Sequence, residues 1–213
     1  MNKILYIFGA GDGAIELIEN FEYCFLSEWK IYCIEDSPSK NCLKIETGIV
    51  YKSIPIFSYL RFHNLDTGSL INSVMDCNYK EKIYKENKDG RWRSFALNCN
   101  RIFCQMPIGC IIMPQSFIGS TVELGKFVKV NHGAKLLVNS SVGDYSFIGT
   151  NSMLLANSKV GSKTLIYSGV TILPNIKVGN NTIIGAGSVV TKDIGDNVVA
   201  YGNPCKVVRE NEG

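Results

Sequence analysis

Residues 142–190 read "VGDYSFIGTNSMLLANSKVGSKTLIYSGVTILPNIKVGNNTIIGAGSVV". Every sixth residue is aliphatic, and the spacing extends back to Ile112, so that fourteen consecutive positions up to Val190 are aliphatic. In an α-helix six residues turn the chain by about 600°, so an aliphatic stripe with this period would wander around the helix surface. The repeat therefore predicts a β-solenoid.

Six residues are enough for one short strand and one turn, so three repeats predict a triangular coil with one aliphatic side chain pointing inward from each face. Each coil buries its aliphatic side chains only by stacking on the next coil. A glycine or asparagine often follows the inward residue, where we expect a tight corner with positive φ or a close backbone approach. These residues are Gly119, Gly125, Asn131, Gly143, Gly149, Gly161, Gly179 and Gly185.

The composition narrows the class of protein. A chain of 213 residues that is 46% hydrophobic can form one large domain or two small ones. The net charge of +3 is spread along the chain without a Lys/Arg run, which argues against nucleic acid as a partner. Eight cysteines without a CxxC pair argue for reduced thiols in a cytoplasmic protein. No segment approaches the roughly 18 apolar residues of a membrane span.

The first 40 residues predict a nucleotide site. "KILYIFGAGDGAIELIEN" (3–20) indicates a buried strand, a glycine turn and a helix, and "WKIYCIEDSPSK" (29–40) contains a second strand. In this arrangement the backbone at Gly9 and Gly11 can approach phosphate, and Glu35 or Asp36 can accept hydrogen bonds from ribose. "LINSVM" (70–75) predicts a third strand, and a charged helix is expected over 79–87.

The C-terminal stretch "ILPNIKVGNNTIIGAGSVVTKDIGDNVVAYGNPCKVV" (172–208) resembles the left-handed β-helix acyltransferases, with Cys205 where alanine is usual. The whole chain resembles the NeuD/PglD-type sugar acyltransferases. The resemblance implies a Rossmann-like βαβαβ domain for a nucleotide-linked sugar (1–100), a left-handed parallel β-helix for acyl-CoA (105–208) and a tail (209–213). It also implies a homotrimer with acetyl-CoA in the groove between neighbouring chains.

The resemblance also implies roles for individual residues. Asn131 and His132 would face the acceptor sugar. Lys192 would approach a phosphate of CoA, or would be a solvated rim residue. The backbone of four further residues would line the groove for pantetheine and adenine: Ala156, Ser168, Gly185 and Ala186.

The sequence departs from the family at its catalytic positions. The family pattern V-N-T-G-A-x-x-x-H-[DE] keeps Asn131, but its histidine falls on Val138 and its acidic residue on Asn139. A second family histidine falls on Phe147 and a third on Gly13. The usual general base is therefore missing.

Three interpretations follow. His132 can replace the missing base, since imidazole titrates near neutral pH, and this would permit O-acylation. Alternatively, an amine can attack a well-placed thioester without a side-chain base while the Ala156 N–H polarises the carbonyl. In the third interpretation the trimer is an inactive binding or structural protein, or a rigid interaction rod. A catalytic zinc site would need three histidines, and the chain has only His63 and His132.

We therefore predict transfer of an acetyl group from acetyl-CoA to the amine of a nucleotide-linked amino sugar in bacterial surface-glycan biosynthesis. The enzyme is expected in the cytoplasm, without a metal.

Overall fold

The computed structural model describes residues 106–212 continuously, and before them the strands bounded below together with Glu81, Lys85 and Ser94. The chain divides into two compact units, 1–93 and 94–213. Among the described residues, no helix combines the length and apolar character needed to cross a bilayer.

The first unit contains a six-stranded mixed sheet in the order β3-β4-β5-β2-β1-β6. Strand β1 lies between β2 and the edge strand β6 and is parallel to both, and β2 is parallel to β5, whereas β4 is antiparallel to its neighbours. Strands β1, β2 and β6 lie where the sequence predicts strands, and the strands β3 to β5 were not predicted. The bounds are β1 Lys3–Phe8, β2 Trp29–Ile34, β3 Leu43–Ile45, β4 Gly48–Tyr51, β5 Ile54–Phe57 and β6 Ser69–Asn72.

The predicted helix over 79–87 is described at two residues only. Both Glu81 and Lys85 are helical, and they form an i,i+4 ion pair at 2.9 Å. The helix expected after Gly11 lies outside the described residues.

The second unit is a solenoid with three parallel sheets as its faces. Face 1 contains β7 Phe95–Ala96, β9 Ile111–Ile112, β12 Lys129–Val130, β15 Phe147–Ile148, β18 Leu165–Ile166, β21 Ile183–Ile184 and β23 Val198–Tyr201, with β24 Lys206–Glu210 antiparallel at its end. Face 2 contains β8 Arg101–Ile102, β10 Phe117–Ile118, β13 Lys135–Leu136, β16 Met153–Leu154, β19 Thr171–Ile172 and β22 Val189–Val190. Face 3 contains β11 Glu123–Leu124, β14 Ser141–Val142, β17 Lys159–Val160 and β20 Lys177–Val178.

The core of the solenoid is the predicted aliphatic series. All fourteen positions from Ile112 to Val190 are buried, and residues 18 apart pair in register, as Val130 does with Ile148. Small residues four positions later are also buried, and several of their hydroxyls donate to carbonyls of the next coil, such as Ser152 to Tyr167 O at 2.8 Å. The β-solenoid of about five turns fits the left-handed β-helix.

At the corners of the solenoid, the structure distinguishes the two reasons predicted for glycine after an inward residue, positive φ and close backbone approach. Glycines directly after the inward residue are not in the positive-φ region; instead, a Cβ on Gly161 would lie 2.6 Å from the carbonyl carbon of Gly179 in the next coil. Positive φ occurs two residues later, for example at Gly133 (66°) and Asn139 (58°). Close approach is therefore the reason for the first glycines, and the left-handed corner residue is a separate position.

Both ends of the solenoid extend beyond the predicted range of 105–208. Strands β7 and β8 pair with β9 and β10, and Arg209 and Glu210 belong to β24 rather than to a tail. The first coil has only 16 residues between paired positions, Ala96 with Ile112 and Ile102 with Ile118. This shortening breaks the six-residue phase, so counting backwards from Ile112 misses the first two strands.

Candidate functional site

The candidate residues of the solenoid fall on two corners that flank face 2. Corner 1–2, between faces 1 and 2, carries Asn131, His132, Ser168, Gly185 and Ala186. Corner 2–3, between faces 2 and 3, carries equivalent residues of successive coils: Val138, Ala156, Pro174 and Lys192. Within one chain the structure thus separates the predicted acceptor residues from Ala156 and Lys192.

His132 and Val138 occupy the same position in two equivalent turns. The Ala134 N–H donates to Asn131 O at 3.2 Å and the Ser140 N–H donates to Leu137 O at 3.1 Å, closing four-residue turns. The third residue of each turn has positive φ, which is the pattern of a type II turn. His132 and Val138 are the second residues of these turns.

His132 contacts its neighbour Asn131 through the ring. Its Nδ1 lies 3.0 Å from Asn131 Oδ1. A carboxamide oxygen can only accept, so a hydrogen bond at this distance requires the hydrogen on Nδ1, and in the neutral ring this leaves the basic lone pair on Nε2. Asn131 is itself held by the backbone, because its N–H donates to Ile148 O at 2.8 Å and its O accepts from Ser116 Oγ at 3.0 Å.

Val138 lies at a groove where corner 2–3 meets face 2. The side chain of Val138 is 49% exposed, which is unusual for valine. The groove has a volume of about 400 Å³ and is lined by Phe117, Gly119, Ser120, Leu137 and Val138. The position of the family histidine therefore borders an accessible, mainly apolar concavity.

Asn139, at the position of the family's acidic residue, has a structural role. Its N–H donates to Thr121 Oγ1 at 2.8 Å, and its Nδ2 donates to Asn157 Oδ1 at 3.1 Å. Asn157 donates in turn to Asn175 Oδ1 at 3.1 Å. This asparagine ladder runs along corner 2–3, whereas Phe147, which aligns with the second family histidine, is buried on face 1.

The Ala156 N–H is at the second position of the turn formed by 155–158, in which the Ser158 N–H donates to Leu155 O at 3.1 Å. This turn bond does not involve the Ala156 N–H, while the Ala156 carbonyl accepts from the Asn175 N–H at 3.0 Å. Lys192, Ser168 and Ala186 are exposed, and Gly185 is half-buried. These corner positions are accessible to a ligand lying along the solenoid.

The nucleotide candidates Gly9, Gly11, Glu35 and Asp36 lie outside the described residues. Strand register nevertheless aligns the ends of the three parallel strands, because Phe8 pairs with both Ile34 and Asn72. In sequence, Gly9 and Glu35 follow directly after Phe8 and Ile34. The carboxyl edge of parallel strands is where α/β sheets bind ligands.

Two cysteines are described, Cys110 and Cys205, and both are buried; the Cys110 thiol donates to Gly125 O at 3.1 Å. Burial raises the pKa of the Cys205 thiol, and a hydrogen bond with Ser188 offsets part of this effect. Among the described residues, no three His, Cys, Asp or Glu side chains are grouped as metal ligands would be.

The groove residues Phe117 and Leu137 were not predicted from the sequence. Phe117 directly precedes an inward residue, so it points outward from face 2, and Leu137 begins the turn that contains Val138. The sequence signal that could have identified them is the presence of outward apolar residues close to Val138, the position of the family histidine. The six-residue count records only the inward positions.

The repeat is one that known transferases share. Residues 157–192 match the bacterial transferase hexapeptide family. No curated protein matches the chain in sequence. The inferred resemblance to sugar acyltransferases of the left-handed β-helix type is confirmed by this match and by the solved structures described next.

Three of these structures cover nearly the whole chain. A histidine-to-alanine mutant of GDP-perosamine N-acetyl transferase from Caulobacter crescentus, in complex with CoA and GDP-perosamine, is 21% identical with a TM-score of 0.83, over 97% of each chain. The acetyltransferase domain of PglB from Neisseria gonorrhoeae is 19% identical with a TM-score of 0.86, over 97% of this chain and 100% of that domain. WeeI from Acinetobacter baumannii is 20% identical with a TM-score of 0.79, over 97% and 100%. At these identities the likeness establishes the fold.

Proposed function

We propose that the protein transfers an acetyl group from acetyl-CoA to the amine of a nucleotide-linked amino sugar in bacterial surface-glycan biosynthesis. The observation that carries this proposal is the shared fold over 97% of both chains with an N-acetyl transferase that holds CoA and GDP-perosamine. The PglB acetyltransferase domain, with the same fold, binds acetyl coenzyme A. Both substrates are cytoplasmic metabolites, so the reaction belongs in that compartment.

The first unit binds the nucleotide in this proposal. Its aligned strand ends at Phe8 and Ile34 support a Rossmann-like site. The backbone at Gly9 and Gly11 would approach phosphate, and Glu35 or Asp36 would accept from ribose hydroxyls.

A homotrimer would join the two separated corners. Rotation about a three-fold axis parallel to the solenoid keeps every coil at its level, so corner 1–2 of one chain can meet corner 2–3 of the next. Acetyl-CoA would lie in this groove between Ser168, Gly185 and Ala186 of one chain and Ala156 and Lys192 of its neighbour. The exposure of most of these residues in the single chain supports the arrangement.

The chemistry at Val138 favours an amine as the acceptor. An amine that has lost its proton attacks the thioester carbonyl, the C–N bond forms, and the C–S bond breaks to release CoA. The Ala156 N–H would polarise the carbonyl, and positioning would lower much of the barrier. A neutral amine is already nucleophilic and loses its proton only as the C–N bond forms, whereas a sugar hydroxyl must be deprotonated at the point of attack, where the side chain of Val138 cannot take a proton.

The test is CoA release by the purified full-length protein, followed as free thiol. The acceptor panel contains GDP-perosamine and UDP-linked sugars with a free amine, each matched by its N-acetylated form, which cannot react. We expect turnover with at least one free amine and none with the matched N-acetylated sugars. Absence of CoA binding and of turnover on the whole panel would refute the proposed function.

A further inference from the structure

His132 and Val138 lie in the two turns that flank one strand, β13, in a single coil. Both are second residues of type II turns, one on corner 1–2 and the other on corner 2–3. Face 2 separates them within the chain, so His132 cannot serve the groove beside its own Val138. A three-fold rotation that directs face 2 toward the axis keeps the level of the coil and brings His132 of one chain to Val138 of the next.

The outward side chains support this orientation of face 2. They include Phe117, Met153, Thr171 and Val189, which are half-buried already in the single chain, and one exposed charged residue, Lys135. Face 3 carries Glu123, Lys159 and Lys177, all exposed. Charged side chains remain hydrated at low cost, whereas an apolar face is stabilised by a cover. Face 2 is the more apolar of these two faces, so it is better suited than face 3 to an interface between copies.

The Asn131 contact prepares His132 to act as a base. With the hydrogen on Nδ1 directed at Asn131 Oδ1, 3.0 Å away, the lone pair is on Nε2, at the other side of the ring. Histidine in water favours the opposite tautomer, with the hydrogen on Nε2. The Asn131 carboxamide therefore selects a tautomer that a merely exposed histidine would not adopt predominantly.

We propose that the Asn131–His132 pair of one chain replaces the missing base in the Val138 groove of its neighbour. As the sugar nitrogen forms its bond to the acetyl carbon and CoA leaves as thiolate, Nε2 takes the proton from that nitrogen and then returns it to the thiolate. His132 is the catalytic residue and Asn131 is a positioning residue. The inference rests on the proposed acetyl transfer and on the trimer.

Subunit complementation tests the exchange between chains. His132→Gln removes the base, and Val138→Trp fills the groove at a half-exposed position. Each variant alone should lose roughly 10²-fold or more in kcat/KM. Co-expressed in equal amounts and purified as mixed trimers, they should regain about a quarter of wild-type activity, because a quarter of the interfaces combine both intact corners.

Two outcomes of this experiment would overturn the proposal. One is full activity of His132→Gln. The other is no recovery in mixed trimers that assemble as the wild type does, because a base acting within its own chain gives no complementation.

Nitrogen NMR of the imidazole rings tests the pair without requiring turnover. The chain has two histidines, so the full-length protein labelled at histidine gives two sets of signals, and His63→Gln assigns them. At alkaline pH we expect His132 protonated at Nδ1 in the wild type and in Asn131→Asp, and a mixture of tautomers in Asn131→Leu. Protonation at Nε2 in the wild type would refute the role of Asn131.

Kinetic measurements on the Asn131 variants distinguish a positioning role of Asn131 from a purely structural role. Asn131→Leu should lower kcat/KM by about tenfold and change its acidic limb, and Asn131→Asp should restore most of the rate. An unchanged pH profile in Asn131→Leu would make Asn131 merely structural. If the wild type turns over no acceptor, the proposed function and the proton transfer both fail, while NMR still decides the tautomer.

Discussion

His132 and Val138 are equivalent residues of two type II turns that begin and end the same face of one coil. The imidazole and the apolar side chain thus lie at the same level along the solenoid axis, one on corner 1–2 and the other on corner 2–3. The distance along the chain between them is six residues, or at most about 20 Å when extended, and it is spanned by β13. In the proposed mechanism, contact between copies brings the imidazole on one corner to the groove at the other.

This relationship predicts rescue at a second site. Placing a histidine in the groove by Val138→His should restore activity to His132→Gln, because the imidazole then stands where the partner's His132 would otherwise reach. We expect kcat/KM to rise at least about tenfold over His132→Gln, since general-base assistance is typically about 10²–10⁴-fold. The measurement is CoA release over pH 6 to 9.

The matched control for that rescue is Val138→Gln in the same background. Glutamine is polar and of similar length but cannot take a proton at these pH values. Equal rates for the glutamine and histidine double variants would show that polarity, rather than a base, limits the groove.

The inward residues of the solenoid were predictable because every one of them satisfies a single physical condition, burial at a fixed period. The burial of Val130 and Ile148, for example, was predictable from their places in the six-residue repeat alone. The separation of His132 from Ala156 required knowing which corner each residue occupies. The shortened first coil around Ala96 has a different spacing, so it carried no signal in the six-residue phase.

The candidate site was predictable only in part for a related reason. The absence of a histidine at Val138 was visible in the sequence, since the repeat fixes the alignment there. The contact between Asn131 and His132 depends on side-chain rotamers within a turn, and the groove at Phe117 depends on outward positions that no period constrains. The six-residue repeat determines neither of these two features.

Two corner glycines are expected to respond differently to alanine, one with a loss of stability and the other with little change. Gly161 and Gly195 follow the inward residue at equivalent corners of the coil, but a Cβ on Gly161 would lie 2.6 Å from the Gly179 carbonyl carbon, whereas a Cβ on Gly195 meets nothing within 4 Å. Gly161→Ala should lower the free energy of unfolding by about 1–3 kcal/mol through overpacking. Gly195→Ala should change it little, and urea unfolding would compare the two.

Equal destabilisation by both substitutions would contradict the close approach of successive coils as the reason for these glycines. Neither glycine has positive φ, so the comparison is free of backbone strain.

The asparagine ladder predicts a graded loss of stability at Asn157. Its φ is 61°, its Oδ1 accepts from Asn139, and its Nδ2 donates to Asn175. Asn157→Gly keeps the backbone conformation and loses the two hydrogen bonds, which should cost about 1 kcal/mol at this exposed position. Asn157→Ala adds left-handed strain and should cost about 2 kcal/mol.

Thermal unfolding at pH 7.5 would rank these variants. If Asn157→Gly is less stable than Asn157→Ala, the left-handed conformation is not the reason for asparagine at position 157.

The Cys205 thiol predicts how stability changes at alkaline pH. Burial raises its pKa in the folded protein above the ordinary value of 9.0. Well below pH 9 the thiol is protonated in both states and makes no pH-dependent contribution to stability. As pH rises past 9, the unfolded chain releases the proton while the folded chain retains it, so the folded state loses stability until the pH passes the folded pKa.

Cys205→Ala isolates this effect, because alanine is the usual residue at this place in the acyltransferases that the chain resembles. Tyrosines and lysines also titrate at alkaline pH, but they are common to both proteins and cancel in the difference. The Tm of the wild type should therefore fall more steeply than that of Cys205→Ala between pH 8 and pH 10.5. Parallel curves would mean that Cys205 ionises equally in the folded and unfolded chains, which its burial at 8% exposure opposes.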